Sequence, residues 1–273
     1  MKIGFWNINR KSSDEILNLV SAFALTNSID ILILFESSLN PAQTLLKLNS
    51  KAPIFHYYTS LVSTFVQIFT RFSTSLVRDV ADDGRITCKE LNSPLGQKVY
   101  FVLVHLSSKL YYEGSDQDAM VPEIKKFIDT IETTNNSSNT IVLGDFNMDP
   151  FQNGMIQATG FHSTFDKRTA RQGKRTIQGK EYKYFYNPMW SFYGELGKGD
   201  VHGSYYNAIS KPICYFWNIF DQILLRPELL EFFDEDSLKI LTSIDGTDLL
   251  NKHSRVNNEI SDHLPVEFEL KNL

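Results

Sequence analysis

The segment NTIVLGDFNMDP (139–150) holds an apolar run, Ile141 to Leu143, that ends in Gly144 and then presents Asp145, Asn147 and Asp149 at alternate positions. Oxygen donors at that spacing suit a calcium loop, a helix cap or a catalytic metal site. An EF-hand loop needs glycine at its sixth position and glutamate at its twelfth. Those positions hold Pro150 and Ile156, which excludes it. Capping suits Asp149, because the proline that follows is favoured in a first helical turn. It leaves Asp145 and Asn147 unexplained.

Other apolar runs end in the same way. Glu36 closes ILILFE, His105 closes VYFVLVH, and Asn7 lies near the end of KIGFWNI. Asp221 opens DQILL, while Asp262 and His263 precede LPVEFEL. Each alone reads as a solvated charge, a turn residue, a cap or a rim histidine. Together they form the kind of polar cluster that α/β folds gather at strand ends for an active site.

The elements that must position them follow from periodicity. Strands are expected at 2–8, 30–36, 85–90, 99–106, 140–144, 220–225 and 264–270, from short β-branched or alternating runs. The last alternates Val266, Phe268 and Leu270 with Glu267 and Glu269, as a strand with one face in water does. Helices are expected at 12–28, opened by a Ser12–Glu15 capping box, at 118–132, and at 151–158. Interleaved helices and half-exposed strands favour an α/β fold of two packed sheets with helices outside over one doubly wound sheet. Residues 226–258 show no clear period.

Composition narrows the class. The chain has 273 residues, 42% hydrophobic and 22% charged, with a formal net charge of −5. One domain spanning 1–273 is expected, since TTNNSSN (133–139) is too short to be a linker and no solenoid repeat occurs. The longest apolar run, ILILF, is far below the ~20 residues that span a bilayer. No membrane anchor or leader is therefore expected. Two cysteines, Cys88 and Cys214, make no disulfide framework, so a reducing, cytoplasmic setting is expected. The acidic balance excludes affinity for polyanions spread over the whole surface. It leaves room for a local patch such as KRTARQGKRTIQGKEYK (167–183), which by itself reads as a solvated hairpin or loop.

The ordered set WNIN (6–9), Glu36, VHLSS (104–108), GDFN (144–147), FDQIL (220–224) and SDHLP (261–265) resembles the endonuclease/exonuclease/phosphatase superfamily. DNase-I-like nucleases, AP endonucleases, sphingomyelinase-type phosphodiesterases and inositol-polyphosphate phosphatases belong to it. The resemblance implies a four-layer α/β/β/α sandwich, two packed mixed sheets flanked by helices. It implies metal contacts at Glu36 and Asp262, with Asn7 supporting metal or phosphate. It makes Asp145 and Asn147 the pair that activates water and orients phosphate, and His263 a general base or phosphate contact oriented by Asp221. His105 stands where DNase-I-like members and sphingomyelinases have histidine and AP endonucleases typically have tyrosine. Asn9 stands where some AP endonucleases carry aspartate.

These residue types fit phosphodiester hydrolysis. The anionic ester repels nucleophiles, so a hard cation on a non-bridging oxygen helps; carboxylates suit Mg²⁺, with Mn²⁺ as a substitute. Water must lose a proton to Asp145 or to an acid-paired His263, and a protonated His105 would neutralise the transition-state oxyanion or the leaving group. The implied activity is an Mg²⁺-dependent nuclease on DNA or RNA. Arg171, Lys174 and Arg175 are then expected to track the nucleic-acid backbone, and aromatics of 182–194 and 203–206 either to stack on bases or to fill the core. The alternative is the same machinery acting on a small or lipid phosphate ester. A catalytically silent binding module is a third reading, opposed by the occupation of every expected position.

Overall fold

A computed structural model of the chain describes residues 1–58, 66–82, 84, 86–93, 95–107 and 114–273. The chain opens with β1 (Lys2–Asn7), α1 (Asp14–Thr26), β2 (Ile31–Phe35), α2 (Pro41–Leu48), β3 (His56–Tyr58) and β4 (Val66–Thr70). It continues through β5 (Val77–Asp82), β6 (Ile86–Asn92), β7 (Lys98–His105), α3 (Gly114–Thr134), β8 (Thr140–Asp145) and α4 (Asn153–Ile156). After β9 (Ser163–Thr164) and α5 (Lys167–Ala170) come the hairpin β10 (Lys174–Ile177) and β11 (Lys180–Lys183), then β12 (Phe185–Tyr186). A second hairpin, β13 (Tyr205–Asn207) and β14 (Phe216–Asn218), leads into β15 (Asp221–Leu225) and β16 (Phe233–Ile240). A short ribbon, β17 (Ser243–Ile244) and β18 (Thr247–Asp248), precedes β19 (Val266–Leu270).

Six strands pair in the order β16-β19-β1-β2-β4-β3 and seven in the order β5-β6-β7-β8-β15-β12-β9. Both sheets are mixed: β1 and β2 run parallel, as do β7 and β8, between antiparallel neighbours. Their inner faces meet in one core, where Phe5, Ile33, Ile68 and Phe268 oppose Phe101, Leu103, Leu143 and Ile223. Helix α1 covers the outer face of the first sheet, with Phe23 seated against Gly4. Helix α3 covers the second, packing Val121, Ile124 and Ile128 on Cys88, Val102, Val142 and Leu224. Layering α1, sheet, sheet and α3 gives the four-layer α/β/β/α sandwich. Strands buried on both faces, such as β2 and β8, read as unbroken apolar runs for that reason.

Several local expectations need correction. The first helix begins at Asp14 and is capped by Ser13, whose side chain accepts from Ile16 N, so the Ser12–Glu15 box does not form. The 151–158 helix is only Asn153–Ile156, capped at Gln152. Asp149 does not cap it: its buried carboxylate accepts from Tyr193 Oη at 2.7 Å and Ile219 N at 2.9 Å. Helix α3 exceeds 118–132 at both ends and carries Pro122 inside. Strand β19 leaves only part of its glutamate face in water: Glu269 stays partly exposed, but Glu267 is covered at the end of α1. Glu267 is 1% exposed, paired with Lys2 at 2.9 Å and Asn27 at 2.6 Å. Arg85, expected to open a strand, lies outside the described residues. Among those described, no helix is long and apolar enough to cross a membrane.

Candidate active site

Strand pairing sets three of the expected residues side by side. His105 on β7 is in register with Asp145 on β8, and Asp145 is in register with Asp221 on β15. Paired residues share a face. These three therefore continue the row Leu103, Leu143, Ile223 and stand at the mouth of the gap between the sheets. The other sheet supplies Asn7, the last residue of β1, and Glu36, one residue past β2. Gly144 has φ +137°, and a Cβ there would lie 2.1 Å from the Val104 carbonyl oxygen and 2.8 Å from Phe35 Cζ. Only glycine lets β8 pass so close to both sheets and deliver Asp145.

Asp145 is the hub. Its Oδ2 accepts from Asn7 Nδ2 at 3.0 Å and lies 3.9 Å from His105 Nε2 and 3.8 Å from His263 Nε2. Its Oδ1 accepts from the Asn147 backbone N–H at 2.8 Å. Asn147, at φ +49°, donates its side-chain amide to the Leu106 carbonyl at 2.9 Å. His263 Nδ1 is 2.7 Å from Asp221 Oδ2, and His105 Nε2 is 3.0 Å from Glu36 Oε1. His263, Asp221, Asp145, His105, Glu36 and Asn7 thus form one network, with Asn147 hung on it and Asp262 adjoining His263. Of the VHLSS motif, Ser108 lies outside the described residues.

Electrostatics follow from this crowding. The His105 hydrogen bond leads in lowering Glu36 to about 2, against burial and with help from Asn7 and Arg10. Burial opposes charge on His105, but the Glu36 bond and the Asp145 charge outweigh it and raise its pKa. Burial likewise opposes a charged His263, yet Asp221 and Asp145 raise it to about 10. Burial pushes the Asp145 carboxyl above its ordinary range, Asp221 adding to the push while both histidines pull against it. The site thus holds two imidazoles biased toward their charged form around a carboxyl that burial makes more basic than usual.

The donor set fits a hard divalent cation. Asp262 Oδ1 is buried with no hydrogen-bond partner, and Glu36 presents a carboxylate beside Asn7. Among the described residues no three acidic, histidine or cysteine side chains are already gathered as a metal cluster. One or two carboxylates with water in the remaining positions is how Mg²⁺ is usually held.

The basic segment does not reach this rim. Arg171 ends α5, and Lys174 and Arg175 lie on β10 of an exposed hairpin. Lys174 is register-paired with Lys183, whose Nζ lies 3.0 Å from Ser138 Oγ and 3.1 Å from Glu132 Oε2. Ser138 precedes β8, seven residues from Asp145, so the base of the hairpin sits about 20 Å away at the opposite strand end. Lys174 is itself paired with Glu181 at 2.7 Å. Chain order between two motifs did not translate into proximity.

Four supporting residues escaped the sequence reading. Ser204 Oγ donates to Asp221 Oδ2 at 2.6 Å, and its carbonyl accepts from Leu264 N at 2.8 Å. Trp6 Nε1 donates to the His263 carbonyl at 2.8 Å, and Ser261 Oγ to the Asn7 carbonyl at 2.8 Å. Arg10 Nε bonds Glu36 Oε2 at 3.2 Å. Trp6 and Ser261 lie within motifs already marked, and Arg10 directly follows one. Nothing local distinguishes Ser204.

The sequence model of the Endonuclease/Exonuclease/phosphatase family matches residues 4–263. Among solved structures, a protein of that family from Leptotrichia buccalis C-1013-b is 16% identical, with 99% of each chain covered and a TM-score of 0.60. The endonuclease domain of TRAS1, a telomere-specific non-LTR retrotransposon, is 14% identical over 100% of this chain and 98% of that one, with a TM-score of 0.56. The 3′ phosphatase NExo from Neisseria, bound to a product DNA hairpin, is 18% identical over 99% of each chain, with a TM-score of 0.52. Comparison with curated protein sequences finds no match.

Proposed function

The chain belongs to the endonuclease/exonuclease/phosphatase family, whose members hydrolyse phosphoester bonds, and from that premise we propose that it is a divalent-metal-dependent phosphodiester hydrolase acting on nucleic acid. One observation carries the reading: Asp145 Oδ2 lies 3.9 Å and 3.8 Å from the two histidines, one of them bonded to Glu36 and the other next in the chain to Asp262. A phosphodiester needs this combination of positive donors, a proton acceptor and oxygen ligands for a cation.

Glu36 and Asp262 would hold Mg²⁺, with Asn7 beside them; bound there, it would neutralise a non-bridging phosphate oxygen. Asp145 accepts the proton of the attacking water, its basicity raised by burial. Asn147, its backbone N–H held by Asp145 and its side-chain amide nitrogen by the Leu106 carbonyl, is left with its amide oxygen to orient the phosphate through the water or cation bound to it. His263 stays charged and places its Nε2 proton against the phosphate, while Asp221 holds Nδ1 and fixes the ring. His105, braced by Glu36, supplies the second positive group near the developing charge.

Neighbours that act on nucleic acid, the TRAS1 endonuclease domain and the DNA-bound NExo, support this substrate class. The distance of the basic hairpin from the rim favours a second reading, hydrolysis of a small or lipid phosphate ester. A panel of single- and double-stranded DNA and RNA, inositol phosphates and sphingomyelin, assayed with Mg²⁺ and with EDTA, separates them. Metal-dependent cleavage of nucleic acid is expected. Nucleic acid left intact while a small ester is hydrolysed would replace the first reading with the second.

A further inference from the structure

Beside the rim lies a group of aromatic side chains that the proposed chemistry does not use. Phe151 meets three rings, Trp190 at 6.4 Å between centroids, Tyr193 at 5.9 Å and Tyr215 at 5.1 Å. Phe165 extends the group through Trp190 at 5.2 Å. These are not core residues: Phe165 is 63% and Tyr215 57% exposed, and the other three are half-buried. Phe151 follows Asn147 by four residues, a span of at most about 14 Å.

The group is fixed to the catalytic residues. The buried Asp149 carboxylate joins Tyr193 Oη at 2.7 Å and Ile219 N at 2.9 Å. One side chain thereby ties the loop after Asp145, the aromatic segment and the approach to Asp221. Tyr215 adjoins β14, whose partner strand carries Tyr205, stacked on Phe220 at 5.0 Å and lying 4.9 Å from His263. One hairpin therefore carries an aromatic contact to the imidazole on one strand and, next to the other, a ring of the exposed group.

We infer that this group is a stacking platform for unpaired bases flanking the scissile phosphate, so that the preferred substrate is single-stranded there; the inference rests on the nuclease reading. Every base has a π face, and stacking on a protein aromatic is tolerant of sequence, but a duplex keeps those faces hidden. The five side chains carry no cation, so the platform takes bases and leaves the phosphates to the catalytic rim. Ile213, 71% exposed, and Phe216, 51% exposed, extend the apolar surface on the same hairpin, which makes a lipid surface the competing occupant. Bases are favoured because the rings contact one another, edge-on or tilted, around Phe151, and because the Asp149 carboxylate ties them to the loop after Asp145 and to the approach to Asp221.

The test is binding in EDTA, read by fluorescence anisotropy, of a single-stranded oligonucleotide, an abasic strand with the same number of phosphates, and a duplex. The full strand is expected to bind tightest. Tyr215→Ala and Phe151→Ala should each weaken it by about five- to a hundredfold, the usual effect of removing a stacking ring, and Tyr215→Trp should restore it. Thermal melting reports whether each variant folds; Tyr215→Ala, at an exposed position, keeps the test informative if Phe151→Ala does not. Equal binding of abasic and full strands, or an unaltered Tyr215→Ala, would overturn the platform. Binding of phosphatidylcholine vesicles lost in Tyr215→Ala, with strands indifferent to it, would assign the surface to lipid instead. If wild-type protein with Mg²⁺ also fails to hydrolyse bis(p-nitrophenyl) phosphate, the hydrolase reading itself fails; if it succeeds while the platform test fails, only the platform is lost.

Discussion

Asp221 Oδ2 serves two donors, His263 Nδ1 at 2.7 Å and Ser204 Oγ at 2.6 Å. A carboxylate oxygen held from two sides cannot swing, so the imidazole it orients keeps its Nε2 aimed at Asp145. A hydrogen bond to a charged group contributes about 1.5–3 kcal/mol. Ser204→Ala is therefore expected to lower kcat by about ten- to a hundredfold in a folded protein, as steady-state kinetics and circular dichroism would report. Unaltered kcat would remove Ser204 from the positioning apparatus. The chemistry-bearing residues themselves were legible because each interrupts an apolar run with a polar group. Ser204 was not, since a serine among Gly203, Tyr205 and Tyr206 has meaning only once its hydroxyl is seen to meet Asp221. The need for Gly203 is equally hidden: a Cβ there would lie 2.4 Å from the Asn218 carbonyl oxygen.

At the scale of elements, the end of the seven-stranded sheet away from the rim is locked to α3. Arg226, with no exposed surface, bonds Glu132 Oε1 at 2.7 Å and Oε2 at 3.2 Å and lies 3.7 Å above the Phe185 ring. Breaking a buried pair by deleting one partner typically costs 3–5 kcal/mol. Glu132→Ala is expected to lose about that much in urea unfolding, and a loss below about 1 kcal/mol would show that Asp129 and water replace the pair. Burial works against the Glu132 charge, but the Arg226 charge and hydrogen bonds outweigh it and lower the pKa from 4.5. A carboxyl with a depressed folded pKa contributes stability that is full above its unfolded value and is lost as pH falls through the folded one. Glu132→Gln should therefore flatten the acid side of the stability curve, measured by urea titration from pH 6 down to about 3. Most strands with unbroken or alternating apolar runs were legible in the sequence, but the buried β4, whose apolar run Gln67 interrupts, was not expected. Strands such as β5 and β16, which carry Arg78, Asp79 and Asp82 or Asp234, Glu235 and Asp236, were not, because edge strands need only a few buried contacts.

Over the whole molecule, two sheets from distant parts of the chain close on one mouth, and that convergence makes the site. The strand order could be sketched from pattern and resemblance, but the location of an exposed hairpin depends on which end of a strand it leaves. Lys174 and Arg175 sit on such a hairpin, about 20 Å from Asp145 at its base and beyond the ~8–10 Å range of screened charges. The double change Lys174→Glu and Arg175→Glu is expected to leave hydrolysis of a short oligonucleotide at 0.15 M salt within about twofold of wild type; a large fall in kcat/KM would return the hairpin to the substrate path. The central claim is that Glu36, Asp145 and His263 work on one phosphate with a bound cation, and it is tested most directly by turnover of bis(p-nitrophenyl) phosphate in wild type, Glu36→Ala and His263→Ala. Wild-type activity should vanish in EDTA and return with Mg²⁺, and each variant should fall by at least about a hundredfold while still folding. Activity indifferent to EDTA, or a folded Glu36→Ala or His263→Ala as active as wild type, would contradict it.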